Sequence, residues 1–109
     1  MRKNLLLLPL VATLLLGCAT TTADYQLDST RTYFVSGKQC TQYNVITEKN
    51  LSDKELVRIY GEVMSGHKDN MYQHKVSFYS SEEMMKDGIV DIAEVVEKSG
   101  NDYELYRAK

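Results

Sequence analysis

The chain has 109 residues with 13 basic and 15 acidic side chains, a formal net charge of -2. That length predicts one domain with a small core. The acidic balance, without a run of Lys and Arg, argues against nucleic acid or an anionic lipid surface as the partner of the polypeptide itself.

The first element is an export signal. Arg2 and Lys3 precede an apolar stretch from Leu5 to Leu16, broken only by Pro9 and Thr13 and closed by Gly17 and Cys18. A membrane-spanning helix needs about 20 apolar residues, so this shorter run reads as a cleaved signal peptide. No later segment is apolar enough to span. Leu15, Leu16, Gly17 and Cys18 resemble the lipobox of bacterial lipoproteins, in which a small residue stands before the modified cysteine. The resemblance covers residues 1–18 only. It implies cleavage between Gly17 and Cys18, a thioether-linked diacylglycerol on Cys18, and an acylated new amino group. Several chains make a durable anchor, because each buried methylene contributes about 0.8 kcal/mol and one chain alone binds marginally. In a double-membrane bacterium the similarity also makes Ala19 informative, since aspartate there favours the inner membrane; alanine implies the outer membrane. Loss of Arg2 and Lys3 with the signal leaves 11 basic residues against 15 acidic, a net charge of -4.

Residues 19–30 are polar and threonine-rich without sustained periodicity. They read as a flexible tether, so the expected organisation is signal 1–17, acylated Cys18 and tether 18–30, and one domain at 31–109. Arg31–Ser36 and Thr41–Thr47 are rich in β-branched and aromatic residues and predict a hairpin across Gly37 and Lys38. Ser52 and Glu55 form a capping box, and Leu51 with Leu56 a hydrophobic staple. Leu56, Ile59, Tyr60, Val63 and Met64 then recur at helical spacing as far as Gly66. After a loop at 67–73, His74–Tyr79 reads as a central strand with Val76 and Phe78 on one side. Ser80 with Glu83 predicts a second capping box and a short helix that stops at Gly88. Five of the eight residues from Ile89 to Val96 are β-branched, which favours a strand at 91–98 over a longer helix. That strand pairs with 103–107 through the turn at Ser99, Gly100, Asn101 and Asp102. The order ββαβαββ predicts an α+β sandwich, two helices on one face of a mostly antiparallel sheet.

Few residues carry chemistry. His67, Asp69 and His74 cluster in sequence, but the seven-residue separation of the histidines matches neither a helical pair nor a zinc-knuckle spacing, so no metal site is expected. The carboxylates from Glu82 to Glu97 lack the alternate spacing and glycine turn of a calcium loop and read as a solvated face. No glycine-flanked serine elbow, HExxH or phosphate loop occurs. With Cys18 lipidated, Cys40 is the one thiol left: either a buried packing residue or the site of an intermolecular disulfide. Tyrosine joins a rigid apolar ring to a hydroxyl that can stay wet. Among eight tyrosines, Tyr25, Tyr72, Tyr103 and Tyr106 are those to test for exposure, and Tyr72, Tyr103 and Tyr106 make the candidate interaction surface. Ser99–Tyr103 resembles the SGxxY loop through which a family of periplasmic lysozyme inhibitors blocks its enzyme. Those inhibitors are all-β and disulfide-bonded, a pattern this chain departs from.

The expectation is a non-catalytic envelope lipoprotein without a cofactor beyond its covalent lipid. Its domain would contact another protein or the cell wall, and no nucleic acid. Two alternatives stay open: an inhibitor or immunity protein directed at a lytic enzyme through Tyr103, and a small periplasmic hydrolase. The hydrolase requires a fold that brings His67 or His74 within hydrogen-bond reach of a hydroxyl, the thiol or a carboxylate.

Overall fold

A computed structural model describes residues 24–109. The signal peptide, the lipobox at Cys18 and the first part of the tether lie outside the described residues. The rest is an α+β domain: a five-stranded, mostly antiparallel sheet with two helices. Its elements are β1 (Tyr25–Val35), β2 (Lys38–Thr47), α1 (Asp53–His67), β3 (His74–Tyr79), α2 (Glu82–Lys86), β4 (Ala93–Glu97) and β5 (Tyr103–Arg107). Neighbours in the sheet follow chain order, with β3 in the middle. Only β2 and β3 run parallel, because α1 carries the chain back along the sheet between them.

The strand β1 begins at Tyr25, not Arg31, so residues 25–30 belong to the sheet and not to a tether. Tyr25 and Leu27 pack against the core. A bulge between Leu27 and Ser29 then shifts the register. The inserted Asp28 reverses which parity of residue faces the helix, and so hides the alternation from a reader of the sequence. At its other end β1 turns into β2 through Ser36 and Gly37, both at positive φ (51° and 79°). That is the pair of left-handed residues a two-residue hairpin turn requires.

One sheet face presents Tyr43, Val45, Val76, Phe78, Ala93 and Val95 to Leu56, Ile59, Tyr60 and Val63 of α1, and this is the hydrophobic core. At the start of α1, Ser52 Oγ accepts the Glu55 amide at 3.2 Å, while Arg58 binds the Glu55 carboxylate. The shorter α2 starts one residue later than the spacing of Ser80 and Glu83 predicts. Ser81 is its N-cap, accepting from the Met84 amide, because Ser80 is held by Asp91 through both its amide and its hydroxyl. Gly88, at φ 71°, follows the helix end, as the early stop requires.

The two helices do not share one face. Met85 of α2 meets the Ser29 hydroxyl, and Ser29 receives the Asn44 amide on the side of the sheet opposite Tyr43 and Val45. That opposite face is polar. Gln42 donates to Asn44 at 2.7 Å, Tyr79 lies 3.4 Å from both, and Ser77 donates to Glu94 at 2.7 Å. Gln42, Asn44, Ser77 and Tyr79 are all buried, and each finds a partner, as buried polar groups must.

Candidate functional site

Among the described residues a cluster of ionisable groups lies where α1 ends, β3 begins and β4 ends. His74, the first residue of β3, is fully buried. Its Nε2 lies 2.6 Å from Asp69 Oδ1, and its Nδ1 lies 2.9 Å from Glu97 Oε1. The ring stacks on Tyr43, with centroids 6.3 Å apart and planes 11° from parallel. The His74 amide also donates to Glu97 at 3.1 Å, and Lys68 Nζ contacts the other Glu97 oxygen at 2.7 Å. Asp69 accepts from Thr41 Oγ1 at 2.8 Å and from the Met71 amide at 3.0 Å.

The architecture explains this convergence. The antiparallel register that sets Lys75 opposite Val96 leaves His74 and Glu97 across from each other at the end of the ladder. Asp69 comes from the loop that returns α1 to the sheet. An imidazole can donate from both nitrogens to two carboxylates only when both carry hydrogen. The cluster joins His74 and Lys68 to two carboxylates, Asp69 and Glu97. It staples the loop after α1 to two strand ends.

Burial raises the carboxyl pKa of Asp69, but hydrogen bonds from the Met71 amide, Thr41 and His74 outweigh it, and the net shift is downward. Glu97 follows the same balance, with burial overcome by Lys68 and His74. Asp91 is lowered as well, held by Ser80 against its burial. A carboxyl whose folded-state pKa is depressed contributes stability above its unfolded value, near 4, and that stability is lost as pH falls through the folded value. The carboxylate contribution to stability should therefore be full above about pH 5 and be lost as pH falls below about 4, seen as a falling urea midpoint. Glu97→Gln should flatten that acid limb; an unchanged limb in urea titrations would show that Glu97 does not contribute to it.

Of the residues singled out in the sequence, Asp69 and His74 are brought together, whereas His67 turns its Nδ1 to the Val63 carbonyl at 3.3 Å. No group of three His, Cys, Asp or Glu side chains is placed to hold a metal ion among the described residues. Sequence reading missed the decisive partner, Glu97, which it had placed in a solvated acidic series. Extending the β3–β4 pairing by one residue would have found it. That series is divided by the fold: Glu94 binds Ser77 and Lys75, Glu97 binds His74 and Lys68, and Asp91 binds Ser80.

Cys40 is fully buried on β2, with Sγ 3.4 Å from the Lys38 carbonyl. A disulfide to another molecule needs a thiol that solvent can reach, and the folded domain does not present one. Cys40 also lies on the sheet face opposite His74. Carboxylates do come within reach of a histidine, as a hydrolase requires, yet both ring nitrogens of His74 are already engaged by them. Neither is left to take a proton from a nucleophile in this arrangement.

The tyrosines divide. Tyr72, Tyr103 and Tyr106 are 58%, 44% and 47% exposed, whereas Tyr25 is half-buried and donates to Glu62 at 2.9 Å. The three exposed rings do not form one patch. Tyr103 leans on Tyr60 beside α1, with centroids 5.7 Å apart. Tyr106, three residues along β5, points to the other face. Tyr72 sits by the β1–β2 turn with Lys38 Nζ 4.9 Å above its ring. Thr30, Thr32, Thr41, Tyr43, His67 and Asp69 line an open cleft. No protein family, curated protein or solved structure matches the chain.

Proposed function

We propose that the chain is a bacterial envelope lipoprotein, held by acyl groups on Cys18 at the periplasmic side of the outer membrane. Its domain serves there as a non-catalytic binding module for a protein or cell-wall partner. The observation that carries this reading is the N-terminal sequence: Arg2 and Lys3, an apolar run too short to span, and Leu15-Leu16-Gly17-Cys18. Among the described residues no helix is long and apolar enough to cross a membrane, which is consistent with an anchor supplied by lipid. A binding role is supported by the engagement of both His74 nitrogens and by the exposed aromatic rings of Tyr72, Tyr103 and Tyr106. The ββαβαββ order, with α1 covering one sheet face, gives those rings a rigid support.

Cells fed radiolabelled palmitate should incorporate it into the wild-type chain and not into Cys18→Ser, which should leave the membrane fraction. Equal labelling of the two chains, or none in either, removes the reading.

A further inference from the structure

The fold sorts its connections to two ends. Strand β1 starts at Tyr25 beside the end of β2, so Tyr25 shares one end of the sheet with the 48–52 connection, the α2 region at 80–92 and the chain end after Arg107. The opposite end holds the Ser36–Gly37 turn, the 67–73 loop and the 98–102 turn. Parallel pairing of β2 with β3 and antiparallel pairing elsewhere fix this division.

Cys18 lies only seven residues before Tyr25. Whatever conformation these residues adopt, they span at most about 25 Å. Strand β1 has 11 residues and is therefore about 33 Å long. If the Ser36–Gly37 tip pointed down onto the bilayer, Tyr25 would stand farther from the surface than its connection to Cys18 can reach. Had the sheet begun at Arg31, the connection would have reached about 45 Å and set no such limit. The bulged extension of β1 to Tyr25 is what shortens the leash.

Resting on the reading that Cys18 is the lipid anchor, we propose that the surface facing the lipid headgroups is the Tyr25 end, formed with 48–52 and 80–92. The opposite end, with Phe34 (65% exposed) and Tyr72, is held outward. The lipid surface is thus the domain's standing neighbour at one end, and partner contacts are left to the other.

The chain has no tryptophan, so single substitutions give clean donors for energy transfer to a dansyl-headgroup lipid. Lys49→Trp marks the Tyr25 end and Lys38→Trp the outer end; both positions are exposed. Each variant, expressed as the full chain and purified from membranes, is reconstituted into phosphatidylethanolamine/phosphatidylglycerol vesicles. Transfer should be several-fold greater from position 49 than from 38, and a long Gly/Ser insertion after Ala23 should narrow the difference. Failure to float with the vesicles removes the anchor and the orientation with it. Flotation with equal transfer from the two positions, or greater transfer from 38, overturns the orientation and leaves the anchor standing.

Discussion

Phe78→Ala should lower the unfolding free energy by about 3–5 kcal/mol, the cost of emptying a fully enclosed aromatic site. Phe78 is fully buried in the central strand, flanked by Val45 on β2 and Ala93 on β4. Neighbours on both sides are fixed by sheet hydrogen bonds, so the site cannot collapse to fill the void. Domains of this size are stable by only about 5–15 kcal/mol in total, and the loss should leave a measurable unfolded fraction at growth temperature. Urea unfolding followed by far-UV circular dichroism tests it. A midpoint within error of wild type would mean that the packing between α1 and the sheet is not where the stability resides.

The second large effect is expected at His74. His74→Leu keeps the volume near that of the imidazole but leaves Glu97, 14% exposed, and Asp69 without the ring that bridges them. Breaking a buried charge cluster by removing one partner costs about 3–5 kcal/mol. The lower end applies here, because the Asp69 side chain remains 41% exposed and water recovers part of its solvation. The deficit has a pH signature that a simple packing defect lacks. In the variant Glu97 keeps Lys68, and Asp69 keeps Thr41 and the Met71 amide, but both lose the imidazole contact that helps to lower their pKa, so the gap between variant and wild type should shrink as pH falls below about 5. Adding Glu97→Gln should restore part of the loss at neutral pH. A gap independent of pH, with no recovery in the double variant, would assign His74 to packing alone.

These two residues also mark what could be read from the sequence. Phe78 was legible as core, because Val76 and Phe78 alternate in a β-rich segment bounded by a loop and a serine cap. Helix α1 was legible for the same kind of reason: the apolar spacing from Leu56 to Val63 and the Ser52 cap are local signals that the tertiary fold reinforces. His74 was visible only as a histidine with Asp69 nearby. Its second carboxylate, 23 residues away at Glu97, becomes a neighbour only when β3 and β4 pair in a defined register. The extension of β1 was hidden by one inserted residue, Asp28, which flips the parity on which strand recognition depends. The sharing of helices between two faces was hidden because α2 is too short to show a periodic stripe, and its single buried apolar residue is Met85. Local spacing thus reveals elements, whereas partners brought together by pairing register are revealed only by the fold.

Cys18 supports both the proposed location and the proposed orientation, since a domain without its anchor has no bilayer to face. The most direct measurement is the intact mass of the chain extracted from the membrane fraction, followed by fragmentation of its first residues. Anchoring through Cys18 requires an N-terminus at Cys18 carrying a thioether diacylglycerol and an amide-linked acyl chain. A product that still begins at Met1, or one cut elsewhere and free of lipid, would contradict it.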